Sequence, residues 1–324
     1  MIIRSLALAA CLAVAAAPAL AQEHDHTHGA GHAHGAEQAA SHGHHGHAHA
    51  DFDSDRLHVR VDGPAGAPDL ILIPGLSSSP EVWDSTVAHL GDRYRVHRIH
   101  VQGFAGAEPK ANATGPVAAP VAEEIARYIR ESDLNKPAVV GHSMGGTIGM
   151  MLAARHPDAV GKLMVVDMVP FMGAMFAQPG TNPTAEAVVP VADQIHAAQA
   201  NSPREQYLAQ GRATVSGMIN TEALRAGPLA DLEASDQQVS ANAFRELIVT
   251  DLRAELPKIT APVEVLYVKF NDPRMTPEIT DAIYRMSFST LPSAELTRID
   301  DSAHFIMLDQ PERFFSELDA FLAE

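Results

Sequence analysis

Short apolar runs recur along the chain from residue 57 onward and alternate with longer segments of helical periodicity. Continuous apolar runs of this length are typical of parallel strands buried on both faces. A more alternating stretch, Leu57–Val61, precedes them and predicts an edge strand. Buried strands are predicted at Leu70–Ile73, Arg95–Val101, Ala138–Val140, Leu163–Val166, Val263–Val268 and Ala294–Ile299.

Segments with helical spacing of apolar residues lie between these strands. Several begin near a proline, which is tolerated in the first helical turn because the N–H there has no intrahelical partner. Strand and helix in regular alternation predict a mostly parallel sheet covered by helices on both faces. The predicted helices are Pro80–Leu90, Pro120–Arg130, Met144–Arg155, Pro277–Met286 and Pro311–Leu322.

The pattern changes between Pro170 and Pro257, where helical segments occur without a convincing buried strand. An all-helical insertion into an α/β sheet predicts a cap over the sheet. The sequence therefore divides into a core, residues 52–169 and 257–324, and a cap, residues 170–256. Helices are predicted in the cap at Val191–Ala200, Pro203–Val215 and Gln237–Leu256.

Residues 1–21 have the pattern of a secretory signal: Arg4 precedes an apolar run that ends in Ala19-Leu20-Ala21. This predicts cleavage before Gln22 and a secreted or periplasmic protein. Leu8-Ala9-Ala10-Cys11 also resembles a lipobox, which would anchor the protein through Cys11. Cleavage after Ala21 is favoured because the apolar run continues past Cys11, and it leaves a mature chain without cysteine.

Residues 22–51 form a low-complexity segment rich in glycine, alanine and histidine, and its composition predicts disorder. Imidazole is a common ligand of Zn²⁺, Ni²⁺ and Cu²⁺. The tract predicts either loose metal binding or a soluble spacer, and it lacks the rigid spacing of a catalytic metal centre. Its ten histidines are His24, His26, His28, His32, His34, His42, His44, His45, His47 and His49.

Composition narrows the function further. Hydrophobic residues make up 46% of the 324 residues, enough for a sizeable core. The net charge of −17 argues against nucleic acid or an anionic membrane surface as the main partner. A single cysteine excludes a disulfide scaffold, an iron–sulfur protein and a cysteine zinc site. No stretch after the signal is apolar enough for a transmembrane helix.

The candidate chemistry lies in Gly141-His142-Ser143-Met144-Gly145-Gly146, a G-x-S-x-G motif between a predicted strand and a predicted helix. Such a turn needs glycines on both sides, since the serine occupies a strained bend with its neighbours crowded. The bend lifts the hydroxyl to the carboxyl end of the sheet, near a helix N-terminus. Ser143 is therefore the candidate nucleophile.

A serine hydroxyl needs a base to take its proton. His304 follows the last predicted strand and should lie at the same edge of the sheet as Ser143. A carboxylate should then hold the imidazole, and two aspartates follow predicted strands: Asp272 and Asp167. Asp272 is favoured because it and His304 should follow neighbouring strands, whereas Asp167 fits a turn that leads into the cap.

Two backbone donors should hold an oxyanion. The N–H of Met144, directly after the serine, is one, and the N–H of Leu76 in Pro74-Gly75-Leu76-Ser77 is the other. At the start of the cap, Met168, Phe171 and Met172 predict an adaptable apolar substrate pocket. Ordinary packing of the cap would explain the same residues.

Residues 56–324 resemble the α/β-hydrolase superfamily. The resemblance lies in Ile73-Pro74-Gly75-Leu76, Trp83, Gly103-Phe104-Ala105-Gly106, Gly141–Gly146, Asp272 and Ala303-His304-Phe305. The resemblance implies an eight-stranded, mostly parallel sheet with helices on both faces, a helical cap and a Ser-His-Asp triad. Two turns depart from the common pattern: Pro74-Gly75 stands where His-Gly is frequent, and Val101-Gln102-Gly103 where Asp-x-x-Gly is frequent. A serine at the elbow disfavours relatives that use aspartate there, namely haloalkane dehalogenases and epoxide hydrolases.

The resulting expectation is a secreted serine hydrolase that cleaves a small ester without an organic cofactor. Ser143 would attack, His304 would move the proton, and Asp272 would orient His304. Two alternatives remain open. One is a non-catalytic ligand-binding protein with the same fold, and the other is a periplasmic protein whose function is metal binding by the histidine tract.

Overall fold

The computed structural model describes residues 52–178, 181–270, 272 and 274–323. The predicted signal peptide and the histidine tract lie outside these residues. Within them, eight strands form one sheet in the order β1-β2-β4-β3-β5-β6-β7-β8. The strands are β1 Phe52–Asp53, β2 Leu57–Asp62, β3 Asp69–Ile73, β4 Arg95–Val101, β5 Ala138–His142, β6 Lys162–Val166, β7 Val263–Tyr267 and β8 Glu295–Arg298.

The sheet is parallel from β4 to β8, and β2 joins it antiparallel to β4. Strand β3 lies in the middle, with β4 on one side and β5 on the other. The chain therefore leaves β3 in one direction and later returns to extend the sheet in the other. In open parallel sheets this switch point, at the carboxyl ends of the strands, is where ligands bind.

The described residues form ten α-helices, and the predicted core helices and cap helices are among them. Short 3₁₀ segments lead into or connect several of them, as at Pro80–Trp83 before α1. The helices are α1 Asp84–Leu90, α2 Ala118–Glu131, α3 Met144–Arg155, α4 Ala185–Asn201, α5 Arg204–Gly217, α6 Ala226–Ala234, α7 Gln237–Val249, α8 Pro277–Ser287, α9 Ile306–Asp309 and α10 Pro311–Ala323.

Strand β3 illustrates why the sheet is covered on both faces. Its alternate residues point to opposite faces, and both sets are fully buried. Leu70 and Leu72 pack in one hydrophobic cluster with Trp83. Ile71 and Ile73 pack in another, which holds the apolar faces of α2 and α3. The continuous apolar run of the sequence is thus explained by burial on two sides.

Helices α4 to α7 form the cap. A small cluster of buried apolar side chains holds it together, among them Phe171 and Phe244. Helix α7 also contributes Val239 and Leu247 to the main core. Cap and core therefore share buried surface through α7. No helix in the described part of the chain is both long and apolar enough to cross a bilayer.

Two features of the cap differ from the prediction. Helix α6 was not predicted because Gly227 and Pro228 interrupt its pattern, yet proline is tolerated in a first helical turn. Helix α7 ends at Val249, because Thr250 adopts an extended conformation, and does not continue to Leu256.

The turn between β5 and α3 is a single residue, Ser143, with φ 55° and ψ −120°. A positive φ is strained for any residue other than glycine and persists only when the surroundings enforce it. Here the surroundings are backbone. A Cβ on Gly145 would overlap the carbonyl oxygens of Ile73 and Pro74, and one on Gly141 would overlap that of Gly145. The motif glycines let the start of α3 lie directly against the end of β3.

Gly145→Ala is expected to lower the free energy of unfolding by about 1–3 kcal/mol, since the new methyl group meets backbone that cannot rotate away. Gly227→Ala in α6 is the matched control. Its Cβ would meet no atom within 4 Å, so the change should leave stability unchanged or raise it slightly. Urea denaturation followed by circular dichroism measures both. Equal stability of the two variants would contradict the crowding described here.

Candidate active site

Ser143 is held at the carboxyl end of β5 by its own backbone. Its N–H donates to the carbonyl of Val166 on β6 at 2.9 Å. Its carbonyl accepts from the N–H groups of Gly146 and Thr147 in the first turn of α3. The residue is half-buried, whereas its chain neighbours are buried. The side chain therefore stands on a rigid support at the switch point of the sheet.

His304 lies on the loop after β8, next to the serine turn as predicted. The ring of His142 is 4.6 Å from the ring of His304, and Nε2 of His142 donates to the carbonyl oxygen of His304 at 3.0 Å. Burial, together with the nearby imidazole of His304, lowers the pKa of His142 well below its usual range. His142 is therefore neutral and serves as a fixed donor between the two loops.

The carboxylate that meets His304 is Asp167. Nδ1 of His304 lies 2.5 Å from Oδ2 of Asp167, with both side chains largely buried. Since a carboxylate can only accept, Nδ1 carries the hydrogen and Nε2 is left as the basic nitrogen. Asp167 directly follows β6, and its N–H donates to the carbonyl of Leu266 on β7 at 2.7 Å.

The prediction that Asp272 orients His304 is wrong in this structure. Both carboxylate oxygens of Asp272 are bound to Arg274. The N–H and Nε of Arg274 donate to Oδ1, and Nη2 donates to Oδ2 at 2.5 Å. The hydrogen bonds of the Arg274 side chain hold the pKa of Asp272 at about 2. Asp272 thus closes a local turn with its own neighbour.

Asp167 meets His304 and Asp272 does not because the two aspartates lie at different distances along the chain from the ends of their strands. Strands β7 and β8 are neighbours, as the prediction assumed. However, β7 ends at Tyr267, so Asp272 comes five residues later, on a loop beyond the sheet edge. Asp167 is the first residue after β6 and stays at that edge. Its side chain reaches past the end of β7 to the loop after β8.

Two groups that the sequence analysis missed complete the surroundings of Asp167. The hydroxyl of Tyr284 on α8 donates to Oδ1 at 3.0 Å, and the N–H of Val268 donates to the same oxygen at 3.2 Å. Tyr284 is fully buried and lies in a predicted helix with ordinary amphipathic spacing. That spacing predicts its burial but carries no signal for its partner.

The two predicted oxyanion donors belong to two segments that lie next to the serine. Leu76 belongs to the loop after β3, and a Cβ on the preceding Gly75 would lie 3.2 Å from Cβ of Ser143. Met144 is the first residue of α3. Neither the N–H of Leu76 nor that of Met144 has an acceptor among the described residues. Both donors are therefore available at the serine turn.

The cap holds the loop after β3 through polar contacts. Oγ of Ser77, at φ 56°, lies 2.8 Å from Oγ of Ser240 on α7, and both side chains are buried. The N–H and the hydroxyl of Ser79 both donate to Oδ2 of Asp231 on α6, at 2.8 and 2.7 Å. Burial raises the pKa of Asp231 despite these donors. The cap and the loop after β3 are thus joined by hydrogen bonds.

The predicted pocket residues lie in two packed clusters. Met168 is buried in the main core beside Gly146, and Phe171 is buried in the cap cluster. Met172 is only partly buried and packs against both clusters, as does Leu76. Ordinary packing therefore explains Met168 and Phe171. Leu76 and Met172 lie where the core and cap clusters meet.

No group of three or more histidine, cysteine, aspartate or glutamate side chains suited to a metal ion occurs within residues 52–323 as far as the structure describes them. The histidines of the tract, His24 to His49, lie outside that part of the chain.

Comparison with known proteins relates this geometry to a family. The chain is 26% identical over 254 residues to the pimeloyl-[acyl-carrier protein] methyl ester esterase of Vibrio cholerae, covering 78% of this chain and 93% of that enzyme.

Two solved structures share the fold. One is a hydrolase from Pseudomonas aeruginosa PA01, with a TM-score of 0.66, 22% identity and coverage of 83% of this chain and 94% of that one. The other is the enol-lactonase from Burkholderia xenovorans LB400, with a TM-score of 0.65, 21% identity and coverage of 83% and 96%.

The family profile described as the alpha/beta hydrolase family matches residues 70–317, which include the serine turn, Asp167 and His304. The proteins that this chain is similar to are named as esterases and hydrolases, and this chain is a hydrolase enzyme. The fold, the serine turn and the profile agree, and the chain belongs to the α/β-hydrolase family.

Proposed function

We propose that this protein is a serine hydrolase that cleaves small carboxylic esters through an acyl-enzyme. The observation that carries the proposal is the hydrogen bond between His304 and Asp167 beside the strained turn of Ser143. A bound carboxylate leaves Nε2 of the imidazole free to accept the proton of a serine hydroxyl. The similarity to methyl ester esterases supports the ester as the bond that is cleaved.

In the proposed reaction, Oγ of Ser143 attacks the ester carbonyl while its proton passes to Nε2 of His304. The N–H groups of Leu76 and Met144 donate to the oxyanion that forms on the carbonyl oxygen. Asp167 stabilises the imidazolium through Nδ1 and holds the required tautomer. The tetrahedral intermediate collapses, Nε2 returns its proton to the departing alkoxide, and the alcohol leaves the acyl-serine.

Water then takes the place of the alcohol. His304 removes a proton from the water, and the resulting nucleophile attacks the acyl carbonyl. The second tetrahedral intermediate collapses, the proton returns to Oγ of Ser143, and the carboxylic acid departs. The same groups serve both halves of the reaction, so no cofactor is needed for this chemistry.

The substrate is proposed to be an ester with an apolar acyl group. Leu76 and Met172 lie where the core and cap clusters meet, and neither side chain is fully buried. Leu76 also belongs to the loop that lies against Ser143. An apolar chain bound there would therefore have its carbonyl close to the serine. Methionine adapts well to irregular apolar shapes, which suits esters of different acyl length.

Ser143→Ala is expected to abolish both labelling by a fluorophosphonate and turnover of p-nitrophenyl acetate, since it removes the nucleophile. Circular dichroism and thermal unfolding check that the variant folds. Labelling that persists in the folded variant would show that another residue is the nucleophile. A wild-type protein that binds but never turns over an ester panel would favour a non-catalytic ligand-binding role.

Asp167→Asn is expected to lower kcat by up to about 10⁴, because an amide favours the wrong imidazole tautomer. Asp272→Asn is the matched control, since Asp272 binds Arg274 on the loop after β7. It should leave kcat within a few-fold of wild type. Both variants are assayed on one ester after their folding is confirmed. An inactive Asp272→Asn beside an active Asp167→Asn would reverse the assignment.

We also propose that the chain is exported, as residues 1–21 indicate, and that the histidine tract binds divalent metal loosely. The support is compositional: a signal-like start, and ten histidines without large apolar residues between them. The proposed ester chemistry does not involve this tract.

Deleting residues 22–50 is expected to leave kcat and KM for the ester nearly unchanged and to reduce Ni²⁺ or Zn²⁺ binding. The tract has metal ligands but no apolar residues that could shape a site in the core. Isothermal titration calorimetry with each metal tests the loss of metal binding, and ester kinetics test the unchanged kcat and KM. Metal binding that survives the deletion would place the ligands elsewhere. A large loss of turnover that metal does not restore would tie the tract to catalysis.

A further inference from the structure

The hydroxyl of Tyr284 makes a contact that packing alone does not require. Its ring is fully buried and stacks on the ring of Tyr267 at a centroid distance of 4.0 Å. A phenylalanine would keep this stacking. The hydroxyl instead donates to Oδ1 of Asp167 at 3.0 Å, deep in the protein. A buried hydroxyl is costly unless it is hydrogen-bonded, so the contact fixes both partners.

The two oxygens of Asp167 have separate partners. Oδ1 accepts from the Tyr284 hydroxyl and from the N–H of Val268, and Oδ2 accepts from Nδ1 of His304. Two donors on one oxygen restrict rotation of the carboxylate about its χ2 angle. The other oxygen is then held towards the imidazole. Of the two donors, only the Tyr284 hydroxyl can be removed by a side-chain substitution.

Tyr284 remains a donor because it does not ionise readily. Burial and the neighbouring charge of Asp167 raise its pKa well above the usual value for a tyrosine. His142, which faces His304 from the other side, is neutral. The phenol of Tyr284 therefore stays un-ionised and keeps the hydrogen that it donates to Asp167.

We propose that Tyr284 is a positioning residue that aligns Asp167 with His304 and thereby acts on the chemical step. The proposal rests on the proposed function, in which Asp167 orients the base. Tyr284 itself touches neither the imidazole nor the serine in the contacts of the described residues. Its effect must therefore pass through Asp167, which is a testable property.

Tyr267 supplies a matched control within the same aromatic stack. Its hydroxyl donates to Oδ1 of Asp281 at 2.9 Å, and Asp281 in turn binds Arg298. Tyr267→Phe therefore removes a hydroxyl from the stack without removing a hydrogen bond from Asp167. A loss of packing or of general stability would affect both tyrosine variants. A loss of positioning would affect Tyr284→Phe alone.

The experiment is a double-mutant cycle with ester kinetics. Tyr284→Phe should lower kcat by about 3- to 10-fold, the range expected for one hydrogen bond, and leave KM unchanged. Tyr267→Phe should leave both constants unchanged. In an Asp167→Ala background, measured at high enzyme concentration, Tyr284→Phe should cause no further fall, because the residue through which it acts is gone.

Wild-type kcat in a folded Tyr284→Phe variant would overturn the proposal, and so would an equal fall in both backgrounds. Failure of the proposed function looks different, since Asp167→Ala itself would then retain full activity. Should Tyr284→Phe not fold, labelling with 3-fluorotyrosine tests the same hydroxyl without removing it. A change in kcat on labelling that vanishes in Asp167→Ala supports the proposal. The Tyr267→Phe enzyme keeps Tyr284, so an unchanged kcat when that enzyme is labelled would contradict the proposal.

Discussion

The contact of backbone with backbone at the Ser143 turn is the constraint on which the rest of the site depends. The first turn of α3 lies against the carbonyl oxygens that end β3, and only glycine at position 145 permits this. The approach brings the loop after β3 beside the serine, where a Cβ on Gly75 would lie 3.2 Å from Cβ of Ser143. Ser143 and the loop after β3 are thereby fixed relative to each other by main chain rather than by flexible side chains.

The same turn determines which strand can supply the carboxylate that meets His304. The N–H of Ser143 is bonded to the carbonyl of Val166, so the residue that follows Val166 is necessarily near the serine. That residue is Asp167, whose φ of 51° turns the chain away from the sheet and towards the cap. The turn predicted at Asp167, seen here as its positive φ, and its pairing with His304 belong to one local conformation. The turn residue and the partner of His304 are alternatives in the sequence prediction, whereas Asp167 is both.

Most of the sheet could be predicted from the sequence because burial on two faces leaves a strong apolar signal, as in β3 and β5. Ser143 could be placed because it directly follows β5, and His304 could be placed because it lies on the loop between the last strand and the final helices. The position of Asp272 could not be predicted correctly, because no residue in the apolar run marks where β7 ends. An error of a few residues in the end of a strand is enough to move a side chain off the sheet edge. Tyr284 is a case of a different kind: its spacing on α8 predicts a buried residue, and only the fold shows that its hydroxyl meets Asp167.

The hydrogen bonds between the cap and the loop after β3 constrain the position of that loop. Ser77 adopts a positive φ and is bonded to Ser240 of α7, while Ser79 is bonded to Asp231 of α6. Each contact links a cap helix to residues within three positions of Leu76. Because the pKa of Asp231 is raised, the folded state loses stability as the pH rises through that pKa. The negative charge of Asp231 therefore does not stabilise the fold. Its two hydrogen bonds to Ser79 have a geometric role instead, because they fix the loop that lies against the serine turn. A rigid-body displacement of the cap would break these hydrogen bonds to the loop after β3. The position of the loop after β3 therefore depends on the two cap helices that bind it, α6 and α7.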